Sequence, residues 1–567
     1  MLPSEKNPVF RAFLLLSLLT LLFLFGCHAD SPPPPTPVIP VLPARVVTIP
    51  SGQFSHFVRA TSSGLNYRWK IEGKRPLDLL QTIGNGCAFL DVNRDGNLDI
   101  LLVGGRIALC QGDGKGHFTD VSAKMGLAKL KGHFLGCCVG DFNNDGYDDL
   151  YLSGHGTGAL LLNKAGKQFQ DVTLSSQIPA QSWGTSCQFV DLDDDGWLDL
   201  IVCGYIEFGP KSNPRLCPQN GVPANCNPHY YPRLKASVYH NSGGKTFGDV
   251  TKAWGLDNQN GYALGVSSAD YEGNGKLGIA IANDGADGDL FQKTAKDRYV
   301  NVNQIAGVAV DRKGHKHAGM GIDWGDYNND GKLDLFVTTF RNQIKTLYIN
   351  GGNGIFTEQS DQIGLDAATQ SNLAFGCKFF DANNDGWLDL MIANGHVQDN
   401  IAQIEPGAVY RQPAQFLQNS GGTVPAFAEA AKASGMDRLP ALVGRGLAVG
   451  DYDNDGRVDA LIVDSEGEPI LLHNETKKSG NWIGFDVRRK TGGNRSGIGA
   501  KITLTTGGRT LIRYCLPGGS YLSSSDPRVH FGIGTAAKVD SVVLQYPEGT
   551  RQKINAPGIN RYLSVGR

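Results

Sequence analysis

Short apolar runs bounded by Gly and Asn/Asp recur through the middle of the chain: 98–103, 150–152, 198–202, 333–337, 388–392 and 458–463. Runs of this length between turn residues predict strands rather than helices. Each is preceded by a Gly-containing segment that turns apolar, such as 184–190. A second phrase lies between them. It reads Leu347-Tyr348-Ile349-Asn350 with Gly354-Ile355-Phe356, then Val238-Tyr239-His240-Asn241 with Phe247, and Leu161-Leu162-Asn163 with Phe169. No long helical periodicity appears. About four strands per unit, repeated seven times, predict an all-β fold, a seven-bladed β-propeller. From about Asn481 the pattern becomes plain alternation, in 482–487, 500–504, 510–514 and 539–544. That predicts a separate, small C-terminal β-sandwich-like domain.

The N-terminus is patterned for export. Lys6 and Arg11 precede an apolar run, 12–25, shorter than the ~20 residues of a membrane span and suited to a secretory signal. The run ends in Leu24-Phe25-Gly26-Cys27, which resembles a bacterial lipobox with Cys27 as the lipidated residue; a short signal-anchor helix is the competing reading. Prolines from Pro32 to Pro43 predict a semi-rigid spacer. The expected organisation is a signal peptide over 1–27, a Pro-rich linker over 28–44, the propeller over 45–478 and the last domain over 479–567. The expected location is the bacterial cell envelope, lipid-anchored at the outer membrane or cell surface, or otherwise secreted.

The candidate chemistry lies in the turns. The phrase Asp-x-(Asp/Asn)-x-Asp-Gly-x-x-Asp begins at Asp91, Asp141, Asp191, Asp326, Asp381 and Asp451, with a degenerate copy at Asp270. We number these loops 1 to 7 in chain order, the degenerate one being loop 4. Loop 1 offers Asp91, Asn93, Asp95, the carbonyl of Asn97, and Asp99. Loop 2 offers Asp141, Asn143, Asp145, Tyr147 (carbonyl) and Asp149. Loop 3 offers Asp191, Asp193, Asp195, Trp197 (carbonyl) and Asp199. Loop 5 offers Asp326, Asn328, Asp330, Lys332 (carbonyl) and Asp334. Loop 6 offers Asp381, Asn383, Asp385, Trp387 (carbonyl) and Asp389, and loop 7 Asp451, Asp453, Asp455, Arg457 (carbonyl) and Asp459.

Carboxylates this close repel unless a cation lies between them. Glycine at position 6 permits the sharp turn that gathers them, and oxygen donors alone, with no Cys or His, suit Ca²⁺, at about six sites. An EF-hand is excluded: position 12 is an apolar strand residue such as Leu102 or Val202, not Glu. Loop 4 has Asp270, Glu272 and Asn274 but Gly278 at position 9, so weak or no calcium is expected there. Six near-identical sites point to structural ions, because a catalytic ion needs one open site beside a base.

Composition agrees with this picture. Of 567 residues 74 are Gly, an excess that many tight turns explain. The net charge of −2 gives no reason to expect nucleic acid, and it hides acidic loops that six divalent ions would offset. Cys87, Cys137, Cys187 and Cys377 each lie four residues before a loop and are expected to be buried and free. Cys217 and Cys226 fall inside an insertion, amid Pro214, Pro218, Pro223 and Pro228, where a disulfide is expected, with Cys203 the competing partner. Asn283-Asp284 and Asn394-Gly395-His396 end strands that approach the central funnel, where an enzyme would place an acid or base. His155, His240, His315 and His317 show no catalytic context.

The repeats resemble FG-GAP/VCBS propeller repeats. The tail resembles the ASPIC/UnbV module through Gly497-Ile498-Gly499-Ala500-Lys501, Gly518-Gly519-Ser520-Tyr521-Leu522-Ser523, His530-Phe531-Gly532-Ile533-Gly534 and Tyr546-Pro547-Glu548-Gly549. The pairing is similar to that of cartilage-acidic-protein-like chains, over roughly residues 80 to 567. The resemblance implies a secreted or surface-exposed calcium-binding propeller and supplies no catalytic residues. The expected function is a non-catalytic binding or adhesion module for a protein or glycan partner. The alternative is a lyase-like, polysaccharide-acting propeller enzyme with structural calcium.

Overall fold

The computed structural model describes residues 49, 54–555 and 557–566; the signal, Cys27 and the Pro-rich linker lie outside the described residues. Glycine-bounded apolar runs do form strands, and these make seven antiparallel sheets, six of four strands and one, the fourth, with His317–Ala318 added as a fifth. Sheets 1 to 7 start with Cys87–Leu90, His133–Gly140, Gly184–Val190, Ala263–Ala269, Ile322–Gly325, Ala374–Phe380 and Gly444–Gly450. These first strands pack beside one another in order, and that of sheet 7 returns to that of sheet 1. The sheets therefore close a propeller-like ring. The first strands are buried almost throughout, only His133 being exposed in His133–Gly140, whereas an outer strand such as Phe169–Asp171 buries only Phe169.

One apolar cluster fills each gap between neighbouring sheets. Sheets 1 and 2 share Leu101, Leu109, Cys137 and Leu150; sheets 7 and 1 share Ala448, Leu461, Cys87 and Ile100. Sheet-on-sheet burial is what holds the ring, since no single sheet has a core of its own. Cys87, Cys137, Cys187 and Cys377 lie in these inner strands, buried and free. Sheet 7 takes its outermost strand from the other end of the chain: Phe57–Arg59 pairs with Ile470–Asn474. The alternation of apolar runs did not reveal this three-residue strand.

The C-terminal segment forms two further sheets. Asn481–Val487 pairs with Val529–Gly534 and Tyr562–Val565; Lys501–Thr506 pairs with Arg509–Tyr514 and Ser541–Gln545, and the latter with Arg551–Asn555. Between them lies a core of Ile483, Phe485, Ile502, Leu504, Phe531 and Val542. This module is not separate from the ring. Its segment 517–526 enters the ring centre and bonds to six of the seven sheets. Cys87 and Phe89, Cys137, Ser186, Ile322, Lys378 and Val449 supply the partners. Tyr521 and Leu522 are fully buried there, with the Tyr521 hydroxyl donating to Ile83 O at 2.9 Å. An apolar pair in a Gly/Ser-rich turn must find a core, and the ring supplies it.

Candidate functional site

Each full loop ties its carboxylates to its own backbone. The position-1 Asp accepts from the N–H of position 6 through one oxygen: Gly96, Gly146, Gly196, Gly331, Gly386 and Gly456 donate at 2.7–3.0 Å. Position 4 takes the left-handed conformation, as in Asn144, Asp194 and Asn384, and position 6 likewise, which is why Gly stands there. The position-9 Asp begins the second strand. It accepts from the position-2 N–H, and its other oxygen from a third-strand N–H: Gly112, Asn163, Asn241, Asn350, Asn419 or Asn474. Those asparagines complete a repeated staple. Asn241, for example, donates to Leu198 O in its own loop and to Phe142 O in the preceding one, both near 2.9 Å.

The carboxylates are buried faster than they are neutralised. All six position-9 aspartates are at most 1% exposed. Burial pushes the position-1 carboxyls up, Asp91 and Asp326 to about 6, Asp141 and Asp451 to about 7 and Asp191 to about 8, and raises Asp381 in the same direction. It also raises Asp99 to about 7 and lifts Asp149, Asp334, Asp389 and Asp459 well above the carboxylate range. Ligand atoms of Asp191, Asp193 and Asp195, and of Asp451, Asp453 and Asp459, lie within 4.8 Å of one another. Asp191 Oδ1 is buried without a hydrogen-bond partner. A hard dication coordinated by such oxygens would offset the desolvation, and the donor set fits calcium.

Two loops depart from an oxygen-only set. His240 Nδ1 lies 3.1 Å from Asp199 Oδ1, and His473 Nε2 lies 3.0 Å from Asp453 Oδ2. The close Asp453 and Asp455 carboxylates raise His473 to about 10, and the hydrogen bond with Asp199 raises His240. In loops 3 and 7 a histidine thus stands beside the carboxylate cluster. Both histidines precede the stapling Asn of the third strand, and strand pairing brings that position to the loop. Loop 4 keeps the turn, with Asp270 accepting from Gly275 at 2.9 Å, but places no carboxylate at position 9. Lys293 occupies the place of the stapling Asn and reaches Asp194 of loop 3 at 2.5 Å.

The C-terminal module covers this loop face. Arg488 pairs with Asp148 at 2.8 Å, and Arg495 donates to Asn144 O at 3.0 Å. Arg509 donates to Asp385 O, Arg513 to Gly386 O, and Arg528 to Asp451 O and Asn454 Oδ1. His530 meets Asn384 Oδ1 at 2.7 Å, and Tyr562 donates to Asp451 Oδ2 at 3.0 Å. Most of these contacts read loop carbonyls and position-4 side chains, so they depend on loop shape.

The opposite mouth of the ring holds a cavity of about 490 Å³. Cys217 and Cys226 are disulfide-bonded in a hairpin, Leu216–Gln219 with Val222–Asn225, that contributes to its wall; Cys203 is buried and free. Asp284 and His396, both at strand ends, line it. Burial and the Arg445 and Arg341 charges lower His396 to about 3, and Arg445 donates to the carbonyls of Thr82, Gly395, Gly444 and His396. His155 meets Phe208 O at 2.6 Å, and burial lowers His317 to about 4. Among the described residues no helix is long and apolar enough to cross a membrane.

The family described as FG-GAP-like repeat matches residues 91–152, 141–202 and 326–392, and the family described as ASPIC and UnbV matches 490–567. The chain carries both. It is 23% identical over 494 residues to cartilage acidic protein 1 of Xenopus tropicalis, covering 82% of this chain and 70% of that protein. It is 22% identical over 496 residues to the same protein of Homo sapiens, covering 82% and 69%. Among solved structures, an Agrocybe aegerita lectin that recognises non-reducing terminal N-acetylglucosamine is similar at 16% identity and a TM-score of 0.41, over 69% of this chain and 94% of that one. The WD40 β-propeller domain of Doa1 is similar at 12% identity and a TM-score of 0.39, over 74% and 99%.

Proposed function

We propose that this chain, FG-GAP-like repeats joined to an ASPIC and UnbV module, is a seven-bladed calcium propeller that serves as a non-catalytic binding module. It works outside the cytoplasm, lipid-anchored through Cys27 at the cell envelope or secreted. Its partner is a protein or glycan, held without chemistry. The observation that carries this reading is the covering of the loop face. Six oxygen-rich loops lie under the module, whose Arg, His and Tyr side chains occupy loop carbonyls and a position-1 carboxylate. Ions held in such loops brace the ring and its cap, and the uncapped mouth is left for the partner. Calcium affinity in the extracellular range, roughly 10⁻⁴–10⁻³ M, suits that location.

Titration calorimetry with metal analysis is expected to find about six Ca²⁺, and chelation to lower the melting temperature of the full chain. An unchanged melting temperature would sink the calcium reading. Turnover of any member of a broad glycan panel would establish the lyase-like alternative.

A further inference from the structure

The uncapped cavity has a chemistry of its own. One part of its wall is apolar, with Leu264, Met320, Val397 and Ile401 beside the aromatic rings of Phe340 and Phe375, and the rest carries amide side chains such as Gln219, Gln343 and Gln398. Into this wall the strand Gly278–Ala286 brings one carboxylate, Asp284, whose Oδ2 accepts the Tyr205 hydroxyl at 2.6 Å. Asp284 has no ion pair among the described residues. Neither Lys nor Arg lines the cavity, and its other acid, Glu405, is paired with Arg341. The basic group that acts on Asp284 is His229, which is exposed, and burial raises the Asp284 carboxyl. A lone carboxylate against apolar surface is costly unless a cation with N–H donors meets it. The Phe375 face is already taken by the Arg445 guanidinium, 4.0 Å from its centroid, so the attraction rests on Asp284.

We propose that the cavity receives an alkyl-ammonium group, its chain along the apolar wall and its NH₃⁺ on Asp284. This inference rests on reading the uncapped mouth as the binding face. The volume lies within the roughly 300–1,000 Å³ of small-ligand sites. The ammonium belongs to a free diamine or to a lysine side chain.

The test is calorimetric titration of the full, calcium-loaded chain with cadaverine, with its neutral isostere 1,5-pentanediol, and with Nα-acetyl-lysine methylamide. Cadaverine is expected to bind on the order of tenfold tighter than the diol, the worth of one charge-assisted contact. Asp284→Asn is expected to erase that preference. Tyr205→Phe, which removes the competing hydroxyl donor, is expected to keep or raise it. Binding of the lysine derivative assigns the group to a protein side chain, and binding of cadaverine alone to a free diamine; both uphold the proposal. Equal binding of diol and diamine, or no binding of any probe at millimolar concentration, overturns it. Should Asp284→Asn fail to fold, the diamine-to-diol ratio of the unaltered chain decides. Melting with and without chelator is read on the same samples, so a cavity that ignores amines leaves the calcium reading standing.

Discussion

Loops 3 and 4 sit on adjacent sheets and fold the same way, yet they are chemically unlike. In both, the position-1 Asp accepts from a left-handed Gly at position 6, at 3.0 Å from Gly196 and 2.9 Å from Gly275. Loop 3 then closes with Asp199, fully buried and bonded to Leu192 N and Asn241 N. Loop 4 closes with Gly278, where a Cβ would lie 2.3 Å from Tyr271 Cε1 and 2.7 Å from Phe291 O. The turn is therefore set by backbone hydrogen bonds and glycine. The charge cluster is a separate feature laid on that turn. A loop can lack its closing carboxylate and still hold its place in the ring, with Lys293 bridging to Asp194 of the neighbouring loop where the stapling Asn stands in other sheets.

The sharpest way to break this comparison is to take loop 3 toward loop 4. Asp191→Asn in excess calcium is expected to lose one ion and about 2–3 kcal/mol, the linkage value when calcium stands near one hundred times its Kd. In chelator the penalty should largely vanish, because burial already pushes the Asp191 carboxyl up to about 8, so that near neutral pH Asn replaces a mostly protonated group. Melting curves of both proteins in both buffers check it, and parallel shifts in the two buffers would show that the loop carries no ion.

The converse change, Gly278→Asp, restores the position-9 carboxylate while leaving Glu272 and Asn274 at positions 3 and 5. It is expected to cost about 1–3 kcal/mol from overpacking against Tyr271 and to add no ion by metal analysis. A seventh bound calcium would show that the neighbouring side chain gives way. A third change separates staple from ligand: Asn241→Ala leaves every loop-3 carboxylate in place but removes the bridge to loop 2, for about 1–2 kcal/mol with calcium stoichiometry unchanged. Least of all, Glu272→Ala in loop 4 is expected to fall within about 0.5 kcal/mol, equally with and without calcium.

The loops were legible in the sequence because their donors sit at fixed offsets within nine residues, and the strands because their apolar runs are short and evenly bounded. What escaped depends on pairing across the sheet or the ring. His240 stands 41 residues from Asp199 and meets it only once the second and third strands of sheet 3 align. Phe57–Arg59 has no alternation to display and earns its strand from Ile470–Asn474. The run Gly518-Gly519-Ser520-Tyr521-Leu522 reads as a turn. Its apolar pair is explained only by the ring interior, where Ser520 and Leu522 both hold positive φ. Basic residues of the last module, scattered in sequence, converge because one face of it lies on the loops. The cavity showed only as two strand ends, Asn283-Asp284 and Asn394-Gly395-His396.

The threaded segment also imposes an order on how the molecule comes into being. Cys87 N bonds to Ser523 Oγ, 436 positions later, and Phe57 waits for Asn474. Until the last fifty or so residues have been made, the seven sheets surround a centre that lacks the 517–526 segment, and until residue 474 has been made Phe57–Arg59 has no partner strand. Contacts this distant in sequence form slowly, and open edges invite association with other chains. The final module thus acts as an axle fitted last, so that a chain halted or clipped before residue 517 would present an unfilled hub for capture and disposal.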